Sequence, residues 1–289
     1  MRKLIPVLFL LACASCASMS SDESSAKSSS KDPMAKLNWK LGAQAYTFRS
    51  LSLMETIDTL KRLDLHYVEM YPGQRFSKEN PAKADHNMSD ELIAQLKEKL
   101  KANDVQAISY GVVELGKDEA ANRKVFDFAK KMGMKNVVSE PPQEALPAID
   151  KLCGEYGIKM AIHNHPKPSR YWDCNVEAKA ISGTSDRIGS CADIGHWVRS
   201  GMQSPECINA LKGRVIECHF KDIDQKKEDV VWGTGTVNVA ECMKALKQQN
   251  KPLFIAIEYE KGSGEELVQN VSKSIEFFKQ QAATLADEK

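Results

Sequence analysis

This chain lacks most of the features that would direct it to a nucleic acid, a dinucleotide or a bilayer-spanning role. Lys+Arg 40 against Asp+Glu 39 gives a net charge of +1, and no Lys/Arg cluster is interleaved with aromatics, so no polyanion-binding signal appears. Nucleic acid is therefore not an expected partner. Cys153, Cys174, Cys191, Cys207, Cys218 and Cys242 form no CxxC pair. That removes a zinc ribbon and leaves room for one or two disulfides. No G-x-G-x-x-G follows the first strand-like segment, which argues against an open dinucleotide-binding sheet. The apolar run Leu4 to Ala12 is too short to span a bilayer as a mature helix.

What the N-terminus does have is an export signal. Met1-Arg2-Lys3 is a basic start, and small residues and cysteines follow the apolar run at once. Leu10-Leu11-Ala12-Cys13 resembles a bacterial lipobox, which implies a lipid-modified Cys13; Cys16 after Ala14-Ser15 is the second choice, and a plain signal cut near Ala17 is the alternative. Residues 18–36 are rich in Ser, Lys, Asp and Glu and suit a solvated tether. The expected organisation is a signal over 1–17, a tether over 18–36 and one domain over 37–289, on a membrane-anchored lipoprotein in the periplasm or at the outer surface. Oligomeric state, including a homo-oligomer, is left open.

Through the domain, strand and helix patterns alternate. Strand-like segments stand at 41–48, 67–72, 105–113, 136–141, 159–166, 187–193, 214–222 and 252–260, each followed by a segment of helical period, such as the one around Leu53, Ile57 and Leu60 or the one opening near Asp90. Eight such units make an all-parallel sheet, and a chain of this length closes it most simply as a (β/α)₈ TIM barrel.

The strands of the second half end on metal-binding side chains. KMAIHNHP ends on His163 and His165, RIGSCADIGHW on Asp193 and His196, RVIECHFKD on His219, PLFIAIEYE on Glu258, and NVVSEP on Glu140. Residues two apart share a face, so if Ile162, Ala192, Phe220 and Ile257 pack outward against helices, the polar set turns inward at one rim, where such barrels build active sites.

ADIGHW, HFKD, the later WGTG and the ending IEYE resemble the xylose-isomerase-like barrel superfamily of sugar phosphate isomerases and epimerases, over about Leu41 to Gln280. In its ketose 3-epimerases a Glu ending strand five, an Asp of D-x-x-H ending strand six, a His ending strand seven and a Glu ending strand eight hold a metal. The resemblance implies that Asp193, His219 and Glu258 do so here. Strand five departs, with HNH in place of Glu, as in inosose dehydratases and exported relatives. Glu140 is the expected substitute carboxylate and His165 the strand-five ligand.

That chemistry is proton transfer next to a carbonyl, eased by a divalent ion that chelates the carbonyl and its neighbouring hydroxyl. Glu258 and Glu140 are expected to move the proton; His163, His196, Lys221 and Trp232 are expected to bind substrate. The ion could be Mn²⁺, Co²⁺, Mg²⁺ or Zn²⁺. Plainer roles compete: His163 could merely orient His165, Trp172, Trp197 and Trp232 could pack under loops, Glu69 reads as structural, and Glu260, Asp222 and Asp173 as solvated or structural charges. Gly233 and Gly235 read as shaping a loop. An exported enzyme meets small unphosphorylated sugars, keto-sugars or 3-keto-glycosides. A lyase of the same superfamily, an endonuclease IV-like phosphodiesterase and a noncatalytic sugar-binding lipoprotein are the other readings.

Overall fold

The computed structural model describes residues 32–288, so the expected leader, Cys13 and residues 18–31 of the tether lie outside the described residues. The end of the tether is not extended chain. Asp32 accepts a hydrogen bond from Met34 N at 3.0 Å and caps a short helix, α1 (Pro33–Leu37), with Pro33 pre-set for its first turn. Lys36 then pairs with Asp287 at 2.9 Å, so residues 33–36 of the expected tether pack on the barrel domain. A polar average over 18–36 hid the local cap signal at its end.

Eight parallel strands run round a closed barrel in chain order: β1 (Trp39–Gln44), β2 (Tyr67–Met70), β3 (Gln106–Tyr110), β4 (Asn136–Ser139), β5 (Lys159–His163), β6 (Ile188–Asp193), β7 (Val215–Phe220) and β8 (Leu253–Ile257). The TIM barrel expected from the alternating pattern is what forms. Closure joins β1 to β8 with Leu41 opposite Ile255, and β1 to β2 with Ala43 opposite Val68.

The outer helices are α2 (Leu53–Arg62), α3 (Asp90–Ala102), α4 (Glu119–Met132), α5 (Leu146–Tyr156), α6 (Cys174–Ser182), α7 (Ile194–Arg199), α8 (Ser204–Ala210), α9 (Val239–Gln248) and α10 (Gly264–Asp287). Their ends follow local chemistry. Ser52 and Glu55 form a reciprocal capping box on α2, and the cap of α3 is Ser89, with Asp90 already inside the helix. Helix α4 stops at Gly133, whose φ of 78° is the left-handed turn that glycine tolerates.

Burial sorts each strand by parity. Ile162, Ala192, Phe220 and Ile257 join the main core between barrel and helices, each worth roughly 1–3 kcal/mol of apolar burial for the larger side chains. Ile108 of β3 contacts Phe254 and Ala256 of β8, which fills the barrel interior across non-neighbouring strands. Three pieces escaped the alternating pattern: α7 and two hairpins, Gln74–Arg75 with Lys83–Ala84 and Asp222–Ile223 with Asp229–Val230. Their strands are two residues long, below the length at which period two is readable. One disulfide, Cys174–Cys207, ties α6 to α8.

Candidate metal centre at the mouth of the barrel

The inward parity of β5 to β8 ends on four side chains. His163, Asp193, His219 and Glu258 each offer a donor atom, and those atoms all lie within 4.8 Å of one another. His163 is the last residue of β5 and 1% exposed; Asp193 and His219 are fully buried. His163 Nε2, Asp193 Oδ2, His219 Nδ1 and Glu258 Oε2 are buried without a hydrogen-bond partner. One orphaned atom per residue, aimed at one place, is costly unless something is bound between them. Two imidazoles and two carboxylates suit a borderline or hard divalent cation.

Each donor has a reason for its aim. Asp193 is the N-cap of α7, and its Oδ1 accepts the His196 amide at 2.7 Å, which leaves Oδ2 for the mouth. The Asp-x-x-His spacing is thus a capping geometry. His219 Nε2 lies 2.6 Å from Glu69 Oε2, so the proton belongs on Nε2 and Nδ1 keeps its lone pair toward Glu258 at 3.1 Å. Beneath it Glu217 accepts from Ser109 Oγ at 2.9 Å and Asn136 Nδ2 at 2.6 Å. Burial, then the charge of Glu69, pushes Glu217 well above the ordinary glutamate range and keeps it protonated.

Lys221 completes the wall. Its Nζ is fully buried, 3.0 Å from Asp193 Oδ2, 2.8 Å from Glu258 Oε2 and 2.6 Å from Glu260 Oε1. The first two contacts fall outside hydrogen-bonding directions, so those oxygens stay orphaned while feeling the charge. Burial opposes its ammonium, but Asp193 and Glu258 raise its pKa. Burial likewise opposes ionisation of Asp193 and Glu258. The fixed ammonium of Lys221 holds both below the carboxylate range. His196 is pushed well down by burial and stays neutral. Both ring nitrogens of His196 face donor-only groups, Nδ1 with Arg199 Nη1 at 3.1 Å and Nε2 with Lys221 Nζ at 3.4 Å, and Nε2 also lies 3.5 Å from Asp193 Oδ2.

Several sequence expectations are redistributed. Glu140 and His165 stand beside the four donors, and His165 forms a second group of possible ligands with His163 and His196. Glu140 Oε1 takes the His165 amide at 2.8 Å and its Nδ1 at 2.9 Å. His163, expected on the substrate, occupies the place foreseen for His165, because β5 ends at His163 and the chain then turns outward to a 46% exposed His165. Trp232 is not at the site: it is 1% exposed, stacked edge-on against Phe220 at 5.6 Å and Phe278 at 6.0 Å outside the barrel. The Gly-rich turn beside it is a loop clasp, in which Asp222 Oδ2 accepts the amides of Gly233 and Gly235 at 2.9 Å. His196 and Lys221 are at the mouth as foreseen. Glu69, expected to be structural, pairs with His219, and Glu217 was missed as a site residue, although its parity with His219 was a usable signal.

The family model described as "Xylose isomerase-like TIM barrel" matches residues 57–281. An uncharacterized protein from Parabacteroides distasonis ATCC 8503 is 35% identical in sequence, with TM-score 0.69, over 84% of this chain and 99% of its own. A D-tagatose 3-epimerase-like protein is 19% identical, TM-score 0.66, over 85% of this chain and 98% of its own. The IOLI protein with a binding zinc atom is 15% identical, TM-score 0.65, over 85% and 98%. No curated protein matches the chain significantly.

Proposed function

Because the chain belongs to the xylose isomerase-like TIM-barrel family, we propose that it is a divalent-metal-dependent isomerase or epimerase acting beside the carbonyl of an unphosphorylated sugar, keto-sugar or 3-keto-glycoside. The observation that carries this reading is the convergence of four orphaned buried atoms, one each from His163, Asp193, His219 and Glu258. These four would hold Mn²⁺, Co²⁺, Mg²⁺ or Zn²⁺, and the zinc described for the IOLI protein supports such a site. When bound, the ion would polarise the sugar carbonyl and offset the negative charge that grows as the proton leaves.

The remaining work falls to the chain's own groups. Glu258, kept ionised by Lys221, accepts the proton on one side of the substrate. Glu140, tied to His165, serves the other side: it follows β4, which β5, β6 and β7 separate from β8, so the two carboxylates approach from different directions. The neutral His196 ring and the Lys221 ammonium bind substrate oxygens. Return of the proton gives epimerisation or isomerisation; loss of a leaving group instead would make the protein a lyase.

Export is part of the proposal. The basic start, the apolar run ending in Leu10-Leu11-Ala12-Cys13 and the Cys174–Cys207 disulfide support a periplasmic or outer-surface enzyme lipidated on Cys13, away from the sugar phosphates of the cytoplasm. Metal analysis of the purified protein, followed by turnover of a sugar panel in deuterium oxide, tests the function. Bound divalent ion and solvent deuterium at the carbon next to the carbonyl are expected. Glu258→Gln or Glu140→Gln should slow exchange about a hundredfold. A metal-free protein that exchanges no proton with any sugar sinks the reading.

A further inference from the structure

At the opposite end of the barrel, where the strands begin, a cavity of about 530 Å³ is lined by Lys40, Lys135, Lys159, Arg214 and Lys251, with Asp186 the one carboxylate on its wall. These cations stand at or just before the starts of β1, β4, β5, β7 and β8. None is neutralised by its contacts. Lys251 Nζ donates to Gly213 O at 2.7 Å and Arg214 Nε to Ile188 O at 3.2 Å, which fixes their positions while leaving their charge. Lys40 lies over the Tyr67 ring at 4.7 Å, and Lys135 and Lys159 are exposed neighbours joined by the bond from Lys159 N to Lys135 O at 3.0 Å. Apart from Asp186, acids of this end pair away from the wall, Asp64 and Asp104 around His66 at 3.4 and 3.1 Å at the starts of β2 and β3, and Asp287 with Lys36 at 2.9 Å. Like charges gathered round one concavity repel each other unless an anion is shared among them.

The same end is where residues 1–31 join the fold. Asn38, the residue before β1, lines the cavity, and α1 reaches back from it only five residues to Asp32 while packing on the end of α10 through Lys36 and Asp287. The segment that carries the basic, apolar leader therefore enters at the rim of the cationic cavity, and the metal-centre mouth faces the other way.

We propose that this cationic face binds the phosphate headgroups of an anionic phospholipid surface and turns the active-site mouth away from it. The argument rests on where Asp32 sits and on the charge of the strand starts, and it holds whichever N-terminal cysteine is modified and whatever reaction the mouth performs. Anionic headgroups fit because their phosphates can enter a cavity of this size, and because a planar negative surface engages several of these cations at once.

The test uses the full chain with phosphatidylcholine vesicles, with and without phosphatidylglycerol, measured by co-sedimentation. The wild type should prefer the anionic vesicles about tenfold or more at low salt and lose most of that preference near 0.5 M salt. Lys135→Glu/Lys159→Glu should abolish the preference while its melting and metal content stay those of the wild type, since both lysines are exposed and far from the mouth. Lys117→Glu/Lys226→Glu, at exposed positions elsewhere, should keep it. An anionic preference that survives Lys135→Glu/Lys159→Glu would come from cations elsewhere on the chain and overturns the proposal. So does tight inorganic phosphate binding at these lysines without any vesicle preference, which would make the cavity a site for a free anion.

Discussion

Glu69 Oε2 and His219 Nε2 are 2.6 Å apart, both residues fully buried, and this one bond decides which nitrogen of His219 faces the donor cluster. A ring whose far nitrogen is fixed to a carboxylate is oriented, restricted to one tautomer and made more basic. Glu69→Gln keeps the shape and an acceptor but removes the charge. Divalent-ion affinity is expected to fall about 10- to 100-fold, measured by competition with a chelator, while turnover at saturating metal changes far less. Unchanged affinity would mean that Glu69 only fills space.

The strand-five donor separates two histidines that stand two residues apart. His163→Ala is expected to lose bound metal, because His163 contributes one of the four converging atoms, whereas His165→Ala should retain it and lose activity through Glu140. Metal content of the two purified variants decides between them. The reverse pattern would return the ligand role to His165.

That His165 stands outside the four-donor set has a physical reason. Parity correctly turned His163, Asp193, His219 and Glu258 inward, since period two and the apolar residues between them are local properties. Parity says nothing about where a strand stops, and β5 stops at His163 because Glu140 draws the His165 amide out of the ladder. Trp232 failed for a related reason. Its place just past β7 was legible, but the Asp222 clasp that folds its loop outward onto Phe220 and Phe278 is made by contacts 11 to 15 residues apart. Parity turns Glu69 and Glu217 into the barrel interior, but their partners there come from strands distant in the chain, so no spacing rule reveals what they pair with.

Glu177 on α6 is fully buried, with both carboxylate oxygens lacking partners. Burial, aided by the charge of Glu140 and opposed by Ser190, raises its pKa from 4.5 to about 8. The folded protein therefore keeps a proton that the unfolded chain has lost. Stability from this group is complete below about pH 4.5, falls as pH rises toward 8, and is level above, a loss on the order of a few kcal/mol. Glu177→Gln should flatten that slope and gain stability relative to wild type at pH 8, read by urea unfolding at pH 5.5 and 8.5. Parallel curves for the two proteins would place an unseen partner on the carboxylate.

The Cys174–Cys207 bond closes a loop between residues 33 apart in sequence. Constraint of the unfolded chain by a loop of that size is worth about 3–4 kcal/mol. Cys174→Ser/Cys207→Ser should lower the melting temperature by several degrees and leave the metal content intact, because neither cysteine touches the four donors. A protein whose melting is insensitive both to a reductant and to this double substitution would show that the bond does not form.

Gly195 lies where Lys221 crosses the start of α7. A Cβ placed there would stand 2.2 Å from Lys221 Cγ and 2.8 Å from its Cδ. Two effects oppose each other in Gly195→Ala. Alanine favours helix over glycine by about 1 kcal/mol, and overpacking of a fixed neighbour costs about 1–3 kcal/mol. The second should win, because the Lys221 stem is fully buried and its Nζ is held near Asp193, Glu258 and Glu260, so the chain cannot swing aside. Gly195→Ala is therefore expected to melt lower and to lose turnover through a displaced ammonium, while His163 and His219 still hold metal. Wild-type melting together with wild-type turnover would show that Lys221 has room to move, and would remove the ammonium from the set of groups that must be fixed for the reaction.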